Sequence, residues 1–98
     1  MSLTEKQIRH LRRLAHPLKP VVMIGARGLS EGVKREIDLS LAHHELIKIR
    51  VAADGREERR RMIETACAEA DAELVQAIGH VAVLYRPAEK PVIQLPPR

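Results

Sequence analysis

The sequence predicts a two-layer α/β domain: a mixed four-stranded sheet with three helices, in the order α-β-α-β-α-β-β. Three observations lead there. Apolar residues recur at helical spacing in three stretches, 8–15, 33–41 and 62–70, as they do where one face of a helix is buried. Short runs rich in Val, Ile and Leu, of strand length, stand at 21–24, 46–52, 74–78 and 81–86. The 98 residues suffice for a single modest core, so residues 1–98 are expected to form one domain with a proline-rich tail over 87–98.

Each element has its own warrant. Thr4 and Gln7 are spaced as a capping box and open a first helix to about Ala15. Ile8, Leu11, Leu14 and Ala15 form its apolar stripe, and Lys6, Arg9 and Arg13 make the opposite face basic. Pro17 stops this helix, and Leu18-Lys19-Pro20 leads into a strand at Val21–Ile24. Beyond a glycine-rich turn, Ser30 caps a second helix to about His44. Val33, Ile37 and Leu41 form its buried edge, with Leu39 off that edge. In Leu46–Ala52, Ile47, Ile49 and Val51 alternate with Lys48 and Arg50, so one face is buried and the other meets solvent or an anion.

Asp54-Gly55 turns the chain into a third helix over about 56–70, with Met62, Ile63, Ala66, Cys67 and Ala70 inside. Leu74–Ile78 and Val81–Arg86 flank Gly79-His80, a connection of hairpin type. The two β-α-β units are expected to cross over right-handed and pair in parallel, the hairpin antiparallel. Four prolines in the tail limit Val92–Leu95 to a short edge segment at most.

Composition removes several function classes. No apolar run is long enough to span a membrane, and no uninterrupted apolar stretch near the N-terminus reads as a signal peptide. Cys67 is the only cysteine, which suits a reducing cytoplasm. Charge is distributed unevenly. Residues 1–35 hold eight Lys/Arg against two acids, whereas residues 36–98 hold nine against eleven. Such an excess points to a polyanionic partner.

The basic third contains the turn Gly25-Ala26-Arg27-Gly28, between a strand's end and a helix's start. There the first amides of the helix lack partners and the helix dipole is positive, so anions bind. Gly25 and Gly28 are expected to permit φ > 0 and close approach of a phosphate, with Arg27 adding charge and Lys34 and Arg35 following on the helix. Neither a nucleotide-hydrolysing loop nor a dinucleotide fingerprint is present. With Tyr85 the single ring among Phe, Tyr and Trp, base stacking has little to work with, so a nucleic acid would be gripped by backbone and shape.

Other clusters are weaker. Glu57/Arg61 and Arg60/Glu64 are spaced as i,i+4 pairs on a self-compensated face. His43-His44-Glu45 lacks a third metal ligand at helical spacing, and no nucleophile–base arrangement is evident. Cys67 reads as a small core residue. No cofactor, metal or catalytic group is expected.

Three blocks, "HPLKPVVMIGARGLSEGVKREID" (16–38), "HHELIKIRV" (43–51) and "IGHVAVLYRP" (78–87), resemble the CRM domain, named for chloroplast RNA splicing and ribosome maturation, in its stand-alone bacterial YhbY-type form. The resemblance implies a fold like the C-terminal domain of bacterial translation initiation factor three. It implies RNA binding through a G-x-x-G loop analogous to that of KH domains, and association with precursors of the large ribosomal subunit. By position the loop is Gly25, Ala26, Arg27 and Gly28. Two departures stand out: His80 where a Lys is expected after the "IG" pair, and Ala70-Asp71-Ala72 in place of a glycine-containing helix stop.

These readings converge on a cytoplasmic ribosome assembly factor without catalytic activity, binding ribosomal RNA in large-subunit precursors, and no membrane or small-molecule substrate. The amides of 25–28 would clamp phosphate, and Lys19, Arg27, Lys34 and Arg35, with the stripe Lys6, Arg9 and Arg13, would extend the contact. Two rivals remain. One is a protein-interaction module docking an acidic protein on the Lys48/Arg50 face or the tail; the other is an RNA chaperone or regulator acting on non-ribosomal RNA.

Overall fold

The computed structural model describes residues 2–98. It runs α1 (Glu5–Ala15), β1 (Pro20–Ile24), α2 (Glu31–His44), β2 (Leu46–Val51), α3 (Arg56–Ala70), β3 (Glu73–Ile78) and β4 (Val81–Tyr85). Class, element order and the mixed four-stranded sheet are those the sequence predicts.

Strand order is β1-β2-β4-β3, with β1 and β2 parallel and β4 antiparallel to both of its neighbours. The second β-α-β unit departs from the expected parallel pairing: β2 and β3 are not neighbours, because β4 lies between them. Composition explains the insertion. Ala82, Val83, Leu84 and Tyr85 are buried in succession, so β4 is apolar on both faces and belongs inside the sheet. In β3 only Val75 is buried, which suits an edge.

Helices cover both faces. Val22, Ile24, Ile47, Ile49, Val51, Ala82 and Leu84 point to one side and pack with Ile37 and Leu41 of α2 and Ile63, Ala66, Cys67 and Ala70 of α3. The alternate residues Leu46, Val83 and Tyr85, with Val75, meet Leu11 and Ala15 of α1 on the other side. Leu14, assigned to the apolar stripe from its spacing, is exposed, because α1 covers only part of its face of the sheet. Leu39 also faces solvent.

Local chemistry sets the helix ends. The capping box of α1 forms: Gln7 N–H donates to Thr4 Oγ1 at 3.2 Å, and Thr4 N–H to Gln7 Oε1 at 3.0 Å. α3 stops without glycine. Asp71 takes φ 54°, ψ 45°, while Asp71 N–H and Ala72 N–H donate to the carbonyls of Ala68 and Cys67. This is the Schellman arrangement, with an aspartate in the left-handed position. Glu45 closes α2 at φ 62° and is buried.

The tail forms no strand. Its path is fixed by the Glu45 carboxylate, which accepts from the N–H groups of Ala88 at 2.8 Å and of Val92 and Ile93 at 2.9 Å. Ile93 and Leu95 then pack beside Leu3 and Ile8 against the α1-side core, and Gln7 Nε2 donates to the Pro96 carbonyl at 3.0 Å.

Candidate functional site

The carboxyl ends of the parallel strands β1 and β2 define one edge of the sheet, and the G-x-x-G turn stands there. Gly28 N–H donates to the Gly25 carbonyl at 2.9 Å, closing a four-residue turn with Ala26 and Arg27 exposed at its tip. Gly28 takes φ +67°, while Gly25 is outside the left-handed region. Only Gly28 therefore meets the conformational expectation. A Cβ at Gly25 would have nothing within 4 Å, so on that side the turn is open.

The turn delivers the chain into α2. Ser30 Oγ accepts from Val33 N–H at 3.2 Å, and Lys34 N–H donates to the Ser30 carbonyl. Glu31 and Gly32, the first two helical residues, lie before any intrahelical acceptor, so their amides point outward at the positive end of the helix dipole. α3 begins at the same edge, because Ala52 N–H bonds the Ile24 carbonyl where β1 and β2 end. Its N-cap Gly55 has no side chain to cap with. The edge thus combines two helix N-termini with the turn between them.

The charged residues singled out from the sequence are not gathered in one place. Arg27 is at the turn, and Arg35 follows on α2; both are exposed and without an ion pair among the described residues. Lys34 is held by acids, Nζ lying 2.8 Å from Glu69 and 3.7 Å from Glu31. The hydrogen bond to Glu69 keeps its ammonium above the ordinary lysine value although partial burial works the other way. A phosphate reaching Lys34 would compete with Glu69. Lys6, Arg9 and Arg13 are exposed on α1, across the sheet from α2. Lys19 lies in the α1–β1 link, beside Leu14, Leu18 and Val21.

The remaining clusters resolve structurally. Arg60 pairs with Glu57 at 2.9 Å, in place of the expected Arg60/Glu64 and Glu57/Arg61 contacts. Arg59 Nη1 donates to the carbonyls of Ala53 and Asp54. His80 is tied to β2: its N–H-bearing neighbour Val51 donates to the His80 carbonyl at 2.7 Å, and its own Nδ1 lies 2.8 Å from the Val51 carbonyl. Glu45 is consumed by the tail, and no group of three or more metal-ligating side chains occurs among the described residues. Cys67 is buried in the core, and burial pushes its thiol up to about 11.

The RNA-binding set read from the sequence omits Arg12 and Arg50, Arg50 entering there only through the rival protein-docking face. Arg12 lines a groove with Arg13, His16 and Lys48 on the α1 side of the sheet. Arg50 is exposed on the same face, paired in register with Met23 and Val81. The alternation of Lys48 and Arg50 with Ile47 and Ile49 was the signal for that face.

The family model described as the CRS1 / YhbY (CRM) domain matches residues 3–86. The chain belongs to the CRM domain family. Among CRM relatives, a Haemophilus influenzae protein named "RNA-binding protein" is 52% identical over 95 residues, covering 97% of this chain and 96% of that protein. The Bacillus subtilis protein named "Probable RNA-binding protein YqeI" is 36% identical over 95 residues, covering 96% and 99%. The solution structure of a hypothetical protein from Staphylococcus aureus superposes with a TM-score of 0.83 at 40% identity, covering 97% of this chain and 100% of that one. No helix among the described residues is long and apolar enough to cross a membrane.

Proposed function

We propose that this CRM protein binds structured RNA by its sugar–phosphate backbone and acts, without catalysis, as an assembly factor on precursors of the large ribosomal subunit in the cytoplasm. Residues 1–98 would work as one RNA-binding domain. The observation that carries the reading is the exposed turn 25–28, open beside Gly25 and running into the uncapped amides of Glu31 and Gly32. A phosphate seated there accepts from backbone N–H groups at a positive helix end, with Arg27 alongside. Relatives named as RNA-binding support RNA as the polyanion.

The basic side chains divide the contact. Arg27 and Arg35 serve the strand at the turn. Lys6, Arg9 and Arg13 meet a second segment of backbone across the sheet edge, as a folded RNA can supply and a short single strand cannot. Lys19 stands between the two groups in sequence, and Lys34 joins only by exchanging Glu69 for phosphate. The scarcity of rings fits recognition of backbone and shape.

Binding of a structured large-subunit RNA fragment, measured against salt, tests this. Neutralising about four to six phosphates gives a slope of log K on log salt near −3 to −5. A slope near zero would end the backbone-clamp reading. In cell lysate, comigration with large-subunit precursors at low salt, lost at high salt, is expected; recovery only as free protein would remove the assembly role.

A further inference from the structure

The α1 face of the sheet carries an apolar strip that the RNA reading does not use. Leu14 at the end of α1, Leu18 in the following link, and Val21 and Met23 on β1 are 41%, 38%, 51% and 57% exposed. A groove of about 450 Å³ is lined by Leu14, Leu18 and Val21, together with Ile93 of the tail that Glu45 pins down. Its polar lining is Lys19, Lys48 and His44.

The grooves on this face are lined by charge of one sign. No Asp or Glu lines the groove, and none lines its neighbour beyond Lys48, where Arg12, Arg13 and His16 face Ile78 and Val81. The groove between α2 and α3 differs, for Glu31, Asp38 and Glu69 stand among its bases. Lys48 is fixed by donating to the carbonyls of His16 and Leu18 at 3.3 and 3.0 Å, which also anchors the link that forms one wall.

From this charge complementarity we infer a second interaction surface, whose occupant is an acidic protein segment with apolar anchors. The anchors would fill the strip at Leu14, Leu18 and Val21, while carboxylates meet Lys19 and the arginines at the end of α1. Protein fits this floor better than RNA does. The floor is mainly aliphatic, with the His44 imidazole its single ring, so stacked bases gain little, whereas apolar side chains bury their surface against it. Exposed apolar strips with polar rims mark interaction sites, and a rim of one sign of charge favours a partner of the opposite sign.

Selection of a random peptide library displayed on phage against the purified full-length chain, followed by anisotropy measurements on enriched peptides, tests the inference. Enriched peptides are expected to combine Asp or Glu with two or three apolar anchors. Their affinity should fall about tenfold or more in the double variant Leu14→Ser/Val21→Ser, whose exposed positions leave the melting temperature near wild type. Lys19→Glu should weaken them independently, and Gly25→Ala should not. Enrichment of peptides without acids, indifference to both the double variant and Lys19→Glu, or no enrichment over an unrelated protein would overturn it. Loss of RNA affinity in Leu14→Ser/Val21→Ser would also overturn it, by giving this face to RNA. Failure of RNA binding in wild-type protein leaves the peptide assay untouched and bears only on the proposed function.

Discussion

At Gly25 and Gly28, the same residue type stands for two different physical reasons. Gly28 needs its backbone freedom, since φ +67° strains any side chain. Gly25 has no such need, and a methyl there meets nothing within 4 Å. Gly28→Ala is therefore expected to lower stability by about 1 kcal/mol, or about 4–8 °C in melting temperature, whatever the ligand does. Gly25→Ala should leave melting near wild type while reducing RNA affinity about tenfold, because the methyl would stand where phosphate is proposed to approach. Unchanged RNA affinity in Gly25→Ala would mean that the ligand does not come near this turn. The spacing revealed both glycines; it could not reveal which of them is conformational.

Asp71 is a second residue-scale case, and here the sequence was informative. The resemblance marked Ala70-Asp71-Ala72 as lacking the glycine expected at the end of α3, and in the structure Asp71 occupies the left-handed region. Asp71→Gly is expected to stabilise the protein by about 0.5–1 kcal/mol, raising the melting temperature about 2–8 °C. Calorimetry showing equal or lower stability would contradict this account of the cap.

At the scale of elements, the helices and strands were legible because their periodicities are local: every predicted helix and strand formed, with ends within a residue or so. Strand order and the tail were not, because both depend on partners distant in sequence. Glu45 illustrates the point. Beside two histidines it suggested a weak metal motif, yet in the fold it holds residues 88, 92 and 93. Burial alone would raise its pKa, but three backbone N–H donors outweigh burial and leave it below the ordinary carboxylate value.

The sign follows from that depression. The strap's contribution is complete above the unfolded carboxyl value of about 4.3 and is lost as pH falls through the lower folded value. Hydrogen exchange at the amides of Ala88, Val92 and Ile93 should accelerate on that acid side before the amides of β2 and β4 open. Glu45→Gln should cost about 1–3 kcal/mol and remove the pH dependence at those amides. Tail amides that remain protected together with β4 down to global unfolding would contradict the strap.

At the scale of the whole molecule, the basic excess of the first third was visible in sequence, but its division was not. A chain order of α1, β1, turn and α2 reads as one continuous basic stretch. Folding sends α1 to one face of the sheet and α2 to the other, with the turn on the edge between them. Two of the bases on α2 and α3 find acids there, Lys34 pairing with Glu69 and Arg60 with Glu57, whereas Arg35 has no ion pair among the described residues. The α1 grooves keep their bases free of lining acids, and this separates the proposed phosphate-binding edge from an apolar, basic face.

The central claim is that backbone amides at that edge hold RNA phosphate, and amide NMR of the ¹⁵N-labelled protein during titration with a structured large-subunit RNA fragment measures it most directly. The account predicts that the largest and earliest shifts fall on Gly25 through Gly32, with smaller changes at Lys6, Arg9 and Arg13. Shifts confined to Arg12, Lys48, Arg50 and their neighbours on the α1 face, with the turn silent, would contradict it.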